Sequence, residues 1–148
     1  MNTFLTKIIK HYQQIATVLN SLQPIALLSG RTYVSWVFFA AGLTKIQDWE
    51  TTLWLFEEEY SVPFLNSNIA AFLGTGGELL LPILLISGLG TRFAALGLTV
   101  VNIVAVISLE EIAPAALMLH FIWGIVLLQN VLFGAGSISL DKILKNKL

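Results

Sequence analysis

Residues 69–89, IAAFLGTGGELLLPILLISGL, form an apolar run that contains a single ionisable side chain, that of Glu78. A helix needs about 20 mostly apolar residues to cross the hydrocarbon core of a membrane. Three further stretches qualify, at residues 24–43, 93–109 and 115–133. The sequence therefore predicts an all-α integral membrane protein, a four-helix bundle that forms a single domain over residues 1–148.

The composition agrees with a membrane protein. Of the 148 residues, 56% are hydrophobic and 11% are charged, whereas soluble domains carry about 25% charged residues. The net charge of −1 gives no basis for binding nucleic acid. The chain has no cysteine, which excludes disulfides, thiol redox chemistry and thiolate metal sites within it. Any electron transfer would need a bound cofactor or a partner protein.

The distribution of charge predicts the orientation in the membrane. Basic residues gather at the N-terminus, in the loop after the second span and in the tail of residues 134–148, while acidic residues gather in the other two loops. By the positive-inside rule, both termini are predicted to be cytoplasmic. Residues 1–22 lack the features of a signal peptide and predict an amphipathic helix on the membrane surface, from apolar residues at helical spacing: Phe4, Ile8, Ile15, Leu19 and Leu22.

The long outer loop between the first two spans has a helical pattern of its own. Trp49, Leu53, Phe56 and Tyr60 recur at helical spacing, and Trp and Tyr favour the membrane–water interface. The pattern predicts a short interfacial helix. Its aromatic residues either anchor a lid over the bundle or form a docking surface for a periplasmic partner.

Polar residues at membrane depth are the candidate functional groups. Glu78 lies near the middle of the second span, and Arg31 lies about 10 Å from the cytoplasmic end of the first. An unpaired charge in hydrocarbon costs several kcal/mol, so we expect Arg31 and Glu78 to meet or to share waters. Such a pair either belongs to a polar pocket for a ligand head group or a proton, or fixes the register of the helices.

Other residues complete the candidate site. Gly42 and Lys45 share the face of Arg31, and Gly42 permits close helix approach. Asn102 is expected to form a hydrogen bond across helices, and His120 either packs through a hydrogen bond or relays protons. No spacing predicts a metal site. The candidate ligand-binding residues are Arg31, Lys45, Glu78, Asn102, His120, Trp36, Phe38 and Trp123, with Glu78 the candidate catalytic group.

Three motifs, in order, give the chain its likeness to a known family. They are residues 31–46, RTYVSWVFFAAGLTKI; residues 77–79, GEL, with residues 88–96, GLGTRFAAL; and residues 134–141, GAGSISLD. Together they resemble the signatures of DoxX-type membrane proteins over about residues 28–142. Carried over by position, Arg31, Lys45, Glu78, Arg92 and Asp141 match the charged positions of that family.

The resemblance implies a small four-helix protein of the bacterial inner membrane. Family members include subunits of quinone-linked sulfur oxidation and proteins associated with oxidative-stress partners. Structural roles also suit two of the matched residues: Arg92 as a topology determinant and membrane-surface anchor, and Asp141 as a cap of a short C-terminal helix.

Three functions remain open at this point. The first is a redox-associated subunit that binds a quinone or a lipid non-covalently and receives electrons from a periplasmic or cytoplasmic partner. The chain shows no self-contained catalytic machinery, so it would be at most one subunit of a quinone-linked oxidoreductase. The alternatives are a proton-coupled small-molecule carrier and a non-catalytic scaffold for a partner protein. The lipid bilayer is a predicted partner throughout, and assembly as a homo-oligomer is also left open.

Overall fold

The computed structural model describes residues 3–147, and every regular element in that part of the chain is a helix. The helices are α1 (Thr3–Gln47), α2 (Trp49–Glu58), α3 (Ser67–Ser87), α4 (Thr91–Ile107), α5 (Pro114–Phe133) and α6 (Leu140–Lys145). Helices α1, α3, α4 and α5 form a ring in which each contacts the next and α5 returns to α1. The predicted all-α four-helix bundle is confirmed.

The exterior of the bundle is apolar. Within the described residues, α1, α3 and α5 are long and apolar enough to cross a membrane, while α4 is apolar but has only 17 residues. Large apolar side chains point outward, among them Phe72, Leu80, Ile103 and Ile125. The core lies between the helices and is built around Val34, Leu85, Leu98 and Leu127.

Helix α1 differs from the prediction. The sequence predicts a surface helix over residues 1–22 and a separate span from residue 24, but α1 continues through Pro24. Residues 1 and 2 lie outside the described part of the chain. At about 1.5 Å per residue, the 45 residues of α1 extend about 68 Å, more than twice a hydrocarbon core of about 30 Å. Residues 4–23 are exposed apart from Ala16, so only the later part of α1 is packed into the bundle.

The predicted helix of the outer loop is confirmed as α2. Its first turn is capped by the side chain of Asp48, which accepts a hydrogen bond from the amide of Thr51 at 3.0 Å. The aromatic face of α2 turns inward, where Phe56 packs with Ala70 and Ala71 of α3. The aromatic residues therefore form a lid against the bundle, and this face is not free to dock a partner.

The opposite end of the bundle is defined by the tight connection between α3 and α4. We call the region of residues 88–91 and 134–147 the turn end, and the region of α2 and residues 108–113 the α2 end. Gly88 and Gly90 have φ angles of 71° and 57°, which glycine adopts readily. Gly88 also has no space for a side chain, because an added Cβ would lie 2.6 Å from Cβ of Ser139.

We expect Gly88→Ala to destabilise the protein more than Gly90→Ala. Both changes place alanine at a left-handed φ, at a cost of about 1–2 kcal/mol. Only Gly88→Ala adds a clash with Ser139, since nothing lies within 4 Å of an added Cβ at Gly90. The clash should cost about 1–3 kcal/mol more. Thermal unfolding of the two variants in detergent measures the difference, and equal losses would show that the contact with Ser139 is unimportant.

Candidate functional site

A cavity of about 570 Å³ lies at the α2 end, bounded by α1, α3, α4 and α5 and covered by α2 and the loop after it. We call it the α2-end cavity. Most of its wall is apolar, and it contains polar groups from Lys45, Tyr60, Glu78, Ser108 and His120. Besides Glu78, four of the candidates from the sequence line this cavity: Phe38, Lys45, His120 and Trp123.

An ion pair between α1 and α3 is the most polar feature of the cavity. Nζ of Lys45 donates to Oε1 of Glu78 at 2.8 Å and to Oε2 at 2.6 Å. Both side chains are largely buried, with exposed fractions of 22% for Lys45 and 10% for Glu78. Because the pair is so little exposed, solvent and salt screen it less than a surface pair. It places a cation and a carboxylate together in a mostly apolar wall.

The close approach of α1 to α3 makes this pair possible. An added Cβ at Gly42 would lie 2.9 Å from Cγ of Leu79 and 3.1 Å from Cβ of Glu78. Any side chain there would therefore displace Leu79 or push the two helices apart. Because Lys45 lies one turn beyond Gly42 on the same face, its long side chain reaches back to the carboxylate.

The second polar feature is a reciprocal contact between α4 and α5. Nδ2 of Asn102 donates to the backbone oxygen of His120 at 3.0 Å, and Oδ1 of Asn102 lies 2.8 Å from Nδ1 of His120. Since the amide nitrogen is already the donor, Oδ1 must accept, and Nδ1 must carry the proton. The predicted cross-helix role of Asn102 is confirmed. Nε2 of His120 is thereby left as an acceptor that no residue of the described chain occupies.

Aromatic rings form much of the apolar wall. Trp123 contacts both Phe38, with ring centres 6.0 Å apart, and His120, at 4.8 Å, in edge-to-face geometry. Phe56 and Tyr60 stack edge to face at 5.0 Å and close the cavity from the α2 side. Trp36 does not contribute: its side chain is 66% exposed and points out of the bundle. Its predicted place in the pocket was wrong because it lies on the opposite face of α1 from Phe38.

The predicted pairing of Arg31 with Glu78 is also wrong. Arg31 lies at the turn end, where it is 1% exposed. Its Nη1 donates to the backbone oxygen of Ala135 at 2.9 Å and its Nη2 to that of Ile138 at 2.8 Å. The guanidinium therefore holds the segment after α5 instead of a ligand.

Asp141 completes the turn end in a different way from the predicted one. Its two carboxylate oxygens accept the amides of Gly90 at 2.8 Å and Thr91 at 3.0 Å, so it caps α4. Helix α6 is capped instead by Ser139, which accepts from the amide of Lys142. Partial burial would raise the pKa of Asp141, but the two amides and the nearby Arg31 charge hold that pKa below its ordinary value.

Two polar residues of the cavity wall were not singled out in the sequence as ligand contacts. Tyr60 and Ser108 both line the wall. The backbone amide of Ser61 donates to the backbone oxygen of Ser108 at 2.8 Å. That bond ties the loop after α2 to the end of α4. The helical spacing of Tyr60 with Phe56 was the available signal, whereas nothing in the sequence pointed to Ser108.

We expect Lys45 and Glu78 to be energetically coupled and Arg31 and Glu78 to be independent. In a double-mutant cycle with Lys45→Met and Glu78→Gln, the interaction free energy should be about 1–3 kcal/mol, because each single change leaves a buried charge without its partner. The matched cycle of Arg31→Gln with Glu78→Gln should be additive within about 0.5 kcal/mol. Denaturant unfolding in detergent measures both, and the reverse pattern would contradict the observed pairing.

The stabilisation supplied by Asp141 should depend on pH. Asp141→Asn should lower the free energy of unfolding by about 1 kcal/mol at pH 7, as for loss of a helix cap. Because the pKa of the folded state is depressed, the advantage of the carboxylate is complete above about pH 3.9 and disappears as the pH falls through the folded-state pKa. Unfolding measured from pH 7 to pH 2 tests this. Glu110→Gln, in an exposed loop, is the charge control and should show no such trend.

Similarity to known proteins identifies the family of this chain. The family model for DoxX matches residues 26–111, which include Arg31, Lys45, Glu78 and Arg92. An uncharacterised protein of Haemophilus influenzae is 34% identical over 130 residues, covering 82% of this chain and 84% of that protein. No solved structure matches the chain significantly. With its apolar helical bundle and a family match over more than half its length, this chain is a membrane protein that belongs to the DoxX family.

Proposed function

We propose that this protein binds a quinone, or a lipid with a similar polar head, in the α2-end cavity, and that it serves as a membrane subunit of a redox system. The observation that carries the proposal is the convergence of the Lys45–Glu78 pair and His120 on one largely apolar cavity. Ionisable groups inside a membrane bundle are costly, and they commonly mark a functional site.

The size and chemistry of the cavity suit such a ligand. Its volume of about 570 Å³ falls within the 300–1,000 Å³ typical of small-molecule sites. The rings of Phe38 and Trp123 offer flat apolar contacts to a planar head group. Lys45 can donate to a carbonyl oxygen, while Glu78 and Nε2 of His120 can accept from a phenol.

The redox part of the proposal requires a partner. Reduction of a quinone to a quinol takes up two electrons and two protons. The chain has no cysteine, so the electrons would come from a partner protein with its own redox centre. The two protons would come from water at the α2 end, and Nε2 of His120 would relay one of them to a ring oxygen. The acidic outer face of α2, with Glu57 and Glu58 exposed, is a candidate contact for that partner.

Two observations count against the alternative functions. A proton-coupled carrier needs its carboxylate to be released and reprotonated, but Lys45 already binds both oxygens of Glu78. A scaffold that docks a partner on Trp49, Phe56 and Tyr60 would need these side chains outside, but they pack against α3. Quinone or lipid binding is therefore the function that the geometry supports best.

The test is mass spectrometry of the small molecules that the protein retains after gentle purification. We expect a quinone in the parent protein and about tenfold weaker retention in Glu78→Gln, since a hydrogen bond to a charged group contributes about 1.5–3 kcal/mol. Ala105→Phe should also lose the ligand, because Ala105 lines the cavity and a ring there would occupy it.

The control is Ile103→Phe, which adds a ring to the outward face of the same helix. It should retain the ligand as the parent does. A lipid held equally by all four proteins would show that the buried charges are architectural. Complete absence of a quinone from the parent, even after quinone is added during purification, would contradict the redox proposal.

A further inference from the structure

A second concave site lies at the turn end, far from the α2-end cavity. It is a groove of about 590 Å³ between the start of α4, the end of α5 and α6. Three of its lining residues carry positive charge: Arg92, Lys142 and Lys145. They come from two separate helices, α4 and α6, and the fold brings them to one depression.

None of these three cations forms an ion pair with a residue of the described chain. Among residues 3–147 the ion pair that forms is Lys45–Glu78, at the other end of the bundle. The carboxylate in the groove, Asp141, uses both oxygens to cap α4. Arg92 donates to the backbone oxygen of Leu132 through Nη2 at 3.2 Å, which leaves its other donors available. The groove is therefore a concave surface that carries three cations and one carboxylate, whose oxygens already accept hydrogen bonds from backbone amides.

The rim of the groove is apolar. Phe93 and Phe133 line it and are 69% and 63% exposed. Beyond them, Leu96 and Leu128 continue an exposed apolar surface along the outer faces of α4 and α5. The cationic groove thus opens directly onto the face that meets lipid tails. An amphiphile with an anionic head group and apolar chains would fit the cationic groove and the apolar surface beside it.

Hydrogen bonds attach helix α6 to the rest of the fold. The amide of Asp141 donates to the oxygen of Gly88 at 2.8 Å, and the side chain of Ser139 caps the helix. With Arg31 fixing Ala135 and Ile138, the segment leading to α6 is attached at several points. Lys142 and Lys145 therefore occupy defined positions instead of lying on a free tail.

We propose that this groove binds the head group of an anionic phospholipid. Arg92, Lys142 and Lys145 contact its phosphate, and Phe93 and Phe133 contact the first part of its acyl chains. Each basic residue near a lipid phosphate contributes favourably to such binding, and the guanidinium of Arg92 can meet two phosphate oxygens at once. The site is separate from the α2-end cavity and does not depend on the function proposed there.

Native mass spectrometry in detergent tests the proposal by titrating the full chain with phosphatidylglycerol or with phosphatidylcholine of the same acyl chains. We expect saturable binding of phosphatidylglycerol and much weaker binding of phosphatidylcholine. Lys142→Gln with Lys145→Gln should weaken phosphatidylglycerol binding at least about tenfold. Both side chains are exposed, so the fold should persist. Arg92→Gln should weaken it as well.

The matched control is Lys7→Gln with Lys10→Gln, which removes the same charge from the exposed first turns of α1. Its affinity should stay within about twofold of the parent. Equal losses in the two double variants would reduce the effect to general charge attraction and overturn the proposal. Equal binding of the two lipids would overturn it too. Displacement of the lipid by equimolar inorganic phosphate would show a site for the free anion and contradict the lipid assignment.

Discussion

The buried guanidinium of Arg31 is the constraint on which the turn end depends. A charge that is 1% exposed must find hydrogen-bond acceptors inside the protein, and Arg31 finds them in the backbone oxygens of Ala135 and Ile138. This fixes the chain after α5 across the end of the bundle. The position of Ser139 follows, and with it the requirement for glycine at residue 88.

A second constraint operates at the α2 end. The contact between α1 and α3 at Gly42 sets the distance over which Lys45 can reach Glu78. The pair then fixes the register of two helices and at the same time places charge in the cavity wall. The two ends are thus organised by different buried cations, one satisfied by backbone carbonyls and the other by a carboxylate. Within the described chain, no residue after Trp123 lines the α2-end cavity.

The apolar pattern predicted much of this architecture. The four bundle helices, the interfacial helix α2 and the cross-helix role of Asn102 all followed from periodicity and depth. The partner of Glu78 could not be predicted in this way, because Arg31 and Lys45 lie on the same face of α1 and differ only in their position along the helix axis. Fourteen residues separate them, or about 21 Å along the helix.

The acceptors of Arg31 were beyond sequence reasoning for a different reason. They are backbone oxygens of an irregular segment, and a backbone oxygen has no signature in a residue pattern. The same holds for Asp141, whose nearest helix in the sequence is α6 but whose carboxylate caps α4. The sequence also did not predict that α1 continues through Pro24, because a proline at that place usually indicates the start or a break of a helix.

The cap of α4 has a consequence for biosynthesis. The N-cap of α4 is Gly90, which offers no side chain of its own. The carboxylate that accepts from the amide of Thr91 lies 50 residues later in the chain. While the ribosome adds those residues, the amides of Gly90 and Thr91 lack their final partner and must be met by water or lipid head groups. The cap of α4 therefore forms only after residue 141 has been synthesised and has folded back onto the turn.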